Sequence, residues 1–227
     1  MCGRYSISKK AREIAEYFGV IAPENIAGGV YNAAPTQLLP VIAMNQPRKL
    51  QQFMWGLQAN WKNESNISPM LINIRAESLF EKKMFGNMLQ TNKCLVMADG
   101  FFEWQKAGKS KQPWRFTLND DSIFAFAAIF DGTPGPDGKI GFRFAIITTD
   151  ANPMVSPIHN RMPVILDREG SMAWLSAVNN QQEIKTLLVP YPASKMKSYK
   201  VSPRVNSTAA NSPELIKPWQ DPNLTLF

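Results

Sequence analysis

The run Ile123-Phe-Ala-Phe-Ala-Ala-Ile-Phe130, then Thr133-Pro-Gly-Pro-Asp-Gly-Lys139, then Phe142-Arg-Phe-Ala-Ile-Ile-Thr148 decides how the fold is read. Two apolar runs of strand length flank a segment whose Pro and Gly residues preset turn dihedrals, which predicts two strands joined by a turn. Working outward, strand-like runs recur over residues 38–44, 50–55, 94–98 and 114–118. An N-terminal strand leads into a helix over residues 8–18, with Ile14, Ala15 and Phe18 on one face, Ser8 as N-cap and Gly19 closing it. Further helices are predicted over residues 77–89, 171–177 and 181–187. Strands and helices mix without a repeating βαβ rhythm. The expectation is an α+β fold, one domain over residues 1–227, with a mainly antiparallel, barrel-like sheet and flanking helices. The Pro-, Asn- and Ser-rich tail beyond Ser202 is expected to lie over the core as irregular structure.

Composition narrows the class. The 227 residues are 44% hydrophobic, 19% charged and 11% aromatic, enough apolar material to bury a sizeable interior. The longest apolar run, residues 123–130, is too short to span a bilayer, and the N-terminus has no apolar signal core. A soluble, cytoplasmic, membrane-free protein is therefore expected, with a monomer as the simplest state. Cys2 and Cys94 are the only cysteines and His159 the only histidine, which disfavours a disulfide scaffold and cannot supply a four-ligand zinc site of these residue types. Cys94, within an apolar run, reads as a core thiol. No metal or cofactor is expected. The formal net charge of +7 suits a polyanionic partner, although solubility alone accounts for such a charge.

Several residues could carry chemistry. If Met1 is removed, Cys2 presents an α-amine beside its thiol, with unperturbed pKa values of roughly 8 and roughly 8.5. Such a 1,2-aminothiol condenses with an aldehyde to a Schiff base, and the thiol then closes a five-membered thiazolidine in an intramolecular step. Taken alone, a cysteine at position 2 is more often inert. His159, in a Pro-rich stretch, belongs on a loop, where a histidine either shuttles protons or makes structural hydrogen bonds. Glu103 lies among aromatic residues in Asp99-Gly-Phe-Phe-Glu-Trp104. There it is either desolvated toward a general-acid range or reaches water at a strand end. Asn73 and Arg75 alternate with Ile72 and Ile74, so a strand would put both polar groups on one face. Arg4, Arg75 and Arg161 could hold phosphates, and Trp61 and Trp104 could stack on bases, as single-stranded nucleic acid requires.

Seven segments in order resemble the SOS response-associated peptidase (SRAP) family, whose members bind abasic DNA. They are Met1-Cys-Gly-Arg-Tyr5, Tyr31-Asn-Ala-Ala-Pro-Thr-Gln37, Trp55-Gly-Leu57 with Trp61, Asn73-Ile-Arg-Ala-Glu77, Asp99-Gly-Phe-Phe-Glu-Trp104, His159-Asn-Arg-Met-Pro-Val-Ile-Leu166 and Val201-Ser-Pro-Arg-Val-Asn-Ser207. The resemblance implies that Cys2 is the nucleophile, that Asn73 holds it, and that Glu103 and His159 move protons. It implies covalent capture of abasic sites in single-stranded DNA. Arg4, Asn32, Arg75 and Arg161 would hold phosphate or sugar, Trp61 and Trp104 would pack on nucleotides, and Pro40 would wedge beside the lesion, with Thr148 among the DNA-facing positions. Self-processing at Met1 would account for the peptidase in the family's name. Against the family pattern, Gln58 and Ala59 replace Ile-Pro, Ile74 replaces Ala, and Asn160 replaces an Asp after the histidine. The first two changes bear on the shape of the DNA groove, the last on how His159 is oriented. An N-terminal-nucleophile amidohydrolase and a noncovalent single-stranded-DNA module are the alternatives.

Overall fold

A computed structural model describes residues 2–26, 28–58, 69–108, 110–134, 138–176 and 180–220. Its first half contains β1 (Tyr5–Ile7), α1 (Ala11–Phe18), β2 (Val30–Ala33), β3 (Leu38–Ala43), β4 (Leu50–Trp55), β5 (Leu57–Gln58), β6 (Met70–Leu71), β7 (Asn73–Arg75), α2 (Ser78–Glu81) and α3 (Lys83–Thr91). The second half contains β8 (Lys93–Ala98), β9 (Gly100–Ala107), β10 (Ser110–Leu118), β11 (Phe124–Pro134), β12 (Ile140–Asp150), β13 (Arg161–Pro163), β14 (Ile165–Leu166), α4 (Arg168–Leu175), α5 (Gln181–Leu187) and β15 (Met196–Lys200).

The expected strand pair forms: β11 and β12 are antiparallel, in register from Ala128↔Ile146 to Pro134↔Ile140. They belong to a ring in which β12, β4, β3, β8 and β11 are hydrogen-bonded in that order and β11 returns to β12. The α+β class thus has a closed five-stranded barrel at its centre, and closure removes the edges that an open sheet would expose. The pairings within the ring are antiparallel except β12–β4. A second sheet, ordered β15-β10-β9-β1-β2, packs against it. Tyr5 of β1 joins the two, its ring 5.2 Å from Trp55 and 5.5 Å from Phe126. Trp55 is fully buried, and its indole N–H donates to the Ile72 carbonyl at 2.8 Å, so burial leaves no indole donor unsatisfied.

A buried polar knot fixes β1 against β9. Arg115 donates to Asp99 at 2.9 Å, to Ser6 Oγ at 3.0 Å and to the Tyr199 hydroxyl at 2.6 Å, while Ser6 Oγ donates to Asp99 at 2.6 Å. Gly100 makes room for this, since a Cβ there would come within 2.7 Å of the Arg115 guanidinium. Asp99 also displaces the expected helix cap: it accepts from the Ser8 backbone N–H at 2.6 Å and from the Ser8 hydroxyl. The helix therefore starts at Ala11, where Glu13 accepts from the Lys10 N–H at 2.8 Å. The helix expected over residues 77–89 is two, broken at Lys82, whose backbone is extended. The tail folds into 3₁₀ turns at Pro203–Asn206 and Pro213–Ile216, with Val205 and Leu215 packed on Phe102. No helix among the described residues is long and apolar enough to cross a membrane.

Candidate active site

Cys2 precedes β1 on the flank that faces β9. Tyr5↔Phe101 and Ser6↔Gly100 are register partners, and the Phe102 N–H donates to the Arg4 carbonyl at 3.0 Å. Continuing that register sets Glu103 opposite Gly3, next to Cys2. The strand expected at residues 72–75 is β7, parallel to β12 with Asn73↔Ile146 and Thr148↔Arg75. Ile74 is buried and Arg75 exposed on it. Asn73 Nδ2 donates to the Cys2 carbonyl at 2.7 Å, so β7 and β1 meet at this residue. His159 lies in the loop before β13, which pairs with β12 through Asp150↔Arg161. The C-terminal half of β12 thus carries β7 on one side and β13 on the other.

Burial sets the electrostatics. Cys2 is fully buried, and its thiol donates weakly to the Arg4 carbonyl at 3.6 Å. Burial, and then the negative charge of Glu103, push the thiol pKa far up, so the sulfur is held as a neutral thiol. Glu103 is only 4% exposed, and burial raises its carboxyl from 4.5 to about 7. At neutral pH it is divided between acid and base, the condition that general acid–base catalysis favours. His159 is pulled down by partial burial. Its Nδ1 lies 3.0 Å from the Arg161 backbone nitrogen and 3.2 Å from the Arg161 carbonyl oxygen, so the main chain of one residue meets this nitrogen as donor or as acceptor. The ring is oriented by its own loop's main chain, so the Asn160 departure does not remove the group that holds it. Asn73 Oδ1 is buried with no hydrogen-bond partner among the described residues.

The other named positions divide by what they already touch. Arg4 donates to Asn32 Oδ1 and to the Val205 carbonyl, both at 2.8 Å, and Asn32 Nδ2 donates to the Ser207 and Ala210 carbonyls at 2.9 Å. Both pin the C-terminal 3₁₀ segment beside Cys2. Arg161 makes a bidentate pair with Glu77 at 2.9 Å and reaches Asp150 at 2.6 Å and the Thr148 carbonyl at 2.7 Å. Thr148 is fully buried, its hydroxyl 3.4 Å from the Ile74 carbonyl. Trp104 is half-buried, with Nε1 donating to Asn206 at 2.7 Å. Arg75 is exposed. Trp61 lies outside the described residues. Pro40 is buried in β3 opposite Gln52, one residue before pairing with β8 begins, where its missing N–H costs no ladder bond. The apolar side chain exposed at that end is Leu38, at 58%, beside Thr36, which holds a left-handed φ of 73°. Sequence reasoning missed Leu38 because a leucine that opens the continuous apolar run 38–44 reads as core.

Residues 1–208 match the family described as SOS response associated peptidase (SRAP). A Bacillus subtilis protein named abasic site processing protein YoqW is 38% identical over 222 residues, covering 96% of this chain and 99% of its own. Abasic site processing protein YedK of Escherichia coli is 31% identical, covering 96% of this chain and all of its own. Among solved structures, a Bacteroides thetaiotaomicron protein superposes with a TM-score of 0.85 at 30% identity, over 96% of this chain and all of that one.

Proposed function

The chain belongs to the SOS response-associated peptidase family, and on that premise we propose that it captures abasic sites in single-stranded DNA through Cys2 once Met1 has been removed. The observation that carries the reading is the grip of Asn73 on Cys2. Its amide holds the Cys2 carbonyl at 2.7 Å while its own oxygen sits buried and, among the described residues, without a partner. A buried acceptor left unpaired costs stability. Removal of Met1 turns the Cys2 amide nitrogen into an amine with a free lone pair, and Asn73 Oδ1 is the nearby group suited to accept from its N–H, which would aim the lone pair outward.

The chemistry follows from the protonation states. The abasic deoxyribose opens to its aldehyde, with protonated Glu103 giving a proton to the departing ring oxygen and taking up the one released from the C1 hydroxyl. The Cys2 amine adds to that carbon, and the carbinolamine loses water to form the imine. Proton delivery to the leaving hydroxyl falls to Glu103 or to the His159 imidazole. The neutral thiol then adds to the imine carbon, its proton passes by way of the Glu103 carboxylate to the former imine nitrogen, and the thiazolidine closes. One water is released overall, with no oxidant required. Arg75 and the Leu38 tip are the outward-facing candidates for phosphate and base contact. Single strands are the expected substrate, because a continuous complementary strand obstructs access to the sugar.

Incubation with single-stranded DNA carrying one abasic site, followed by a denaturing gel, tests this. A stable slow-migrating adduct is expected, absent from Cys2→Ala and from protein with a residue added before Cys2. An ordinary adduct from either variant overturns the aminothiol mechanism. Binding seen only on native gels supports a noncovalent module instead, and DNA-independent amide hydrolysis supports an amidohydrolase.

A further inference from the structure

Away from Cys2, a cavity of about 460 Å³ lies between the end of α1, the outer barrel wall at Ile42 and Leu95, and α4. Phe18, Val20, Pro47, Met172 and Leu175 add to its apolar lining. Met172 is 71% exposed and Ile21, next in sequence to Val20, is 67% exposed. Large apolar side chains grouped in water around a cavity mark an interaction site more often than scattered ones do. Among the lining residues, Ser171 is 1% exposed, and its hydroxyl has no hydrogen-bond partner among the described residues. An occupant could supply the missing bond.

The rim is basic. Arg168 lines the cavity, and Arg48 and Lys49 are exposed beside Ile21, whose N–H donates to the Arg48 carbonyl at 2.8 Å. Ile42 lies four residues along β3 from Leu38, so the cavity is about 13 Å from the Leu38 end of the barrel. An occupant there leaves the Cys2 face open.

We propose that this cavity docks an acidic segment of a partner protein through one large apolar anchor residue. The anchor fills the space between α1 and α4, flanking carboxylates meet Arg168, Arg48 and Lys49, and a peptide carbonyl accepts from Ser171. Charge complementarity selects this occupant over a second copy, which would bring the same basic rim and another net +7 to the contact. The apolar lining disfavours a nucleic-acid strand, whose outer surface is phosphate.

The probe is a fluorescein-labelled synthetic peptide, Glu-Asp-Asp-Leu-Phe, titrated into the full chain by fluorescence anisotropy. Saturable binding that weakens with added salt is expected. Affinity should fall at least tenfold when the acids become Lys, in the Ile21→Ser/Met172→Ser double variant, and in Arg168→Glu. Near-UV circular dichroism and abasic-site crosslinking of these variants should match the parent, which keeps this result separate from that of the Cys2 chemistry. Absent binding, equal binding by the variants, or indifference to peptide charge overturns the proposal. So does a tenfold gain in peptide affinity on deleting residues 221–227, which assigns the cavity to the chain's own tail. A dimer dissolved by Met172→Ser, seen by sedimentation, assigns it to a second copy and also overturns it.

Discussion

Glu103→Gln removes one proton while preserving shape, and its consequences for stability and for rate run in opposite directions. The carboxyl is raised from 4.5 to about 7, with burial as the first cause. The sign of the linkage follows from which state binds the proton more tightly. Below pH 4.5 both folded and unfolded chains hold it, and burial of the neutral acid carries no titration cost. Between 4.5 and 7 the unfolded chain has ionised and the folded one has not, so stability falls as pH rises. Above 7 the loss levels off. At 1.36 kcal/mol per pH interval it amounts to about 3 kcal/mol. Glu103→Gln cannot ionise, so its stability should be close to the parent's at pH 4.5 and higher by about 3 kcal/mol at pH 8. Urea denaturation at half-unit pH steps reads the difference. Crosslinking to abasic single-stranded DNA should meanwhile slow by roughly 10²-fold or more, the usual contribution of a general acid–base group. Rates come from quenched time points on denaturing gels. Parallel stability curves for parent and variant, or an unslowed adduct, would refute the assignment of Glu103 as a buried proton carrier.

Three further outcomes follow from the same geometry. Asn73→Asp removes the amide donor to the Cys2 carbonyl and places a second carboxylate near Glu103, so crosslinking should slow by about tenfold or more, roughly the worth of one neutral hydrogen bond; circular dichroism checks that the fold is kept. Asp99→Ala leaves Arg115 buried without its counter-ion and should cost about 3–5 kcal/mol in urea denaturation, with Ser8 and β1 loosened together. Leu38→Ser should leave thermal stability within about 0.5 kcal/mol, as exposed substitutions do, and raise the DNA concentration needed for half-maximal crosslinking.

How much was legible beforehand depended on whether the signal was local. The six strand runs and four helical patches read from apolar spacing all correspond to elements, with ends shifted by competing contacts such as Asp99 on Ser8. Strands β2, β9, β13 and β15 are not among those runs. β8 is buried along its length and β11 along its first seven residues, because barrel and flanking elements cover both faces. Such strands read as continuous apolar runs, so neither inward and outward faces nor neighbours can be derived from alternation.

By itself, then, the sequence determined the strand-rich α+β class, the aminothiol latent at Cys2, and an ordered set of motifs pointing to one family. Those properties reside in residue identity and short-range spacing. Tertiary structure alone decided that the barrel closes, that Glu103 titrates near 7, and that Arg4, Asn32 and Arg161 face internal carbonyls and carboxylates while Arg75 faces water. A guanidinium or amide has the same donors wherever it stands. Which acceptor it meets is set by chain segments distant in sequence, such as residues 205–210 lying over Arg4, and no local pattern encodes that meeting.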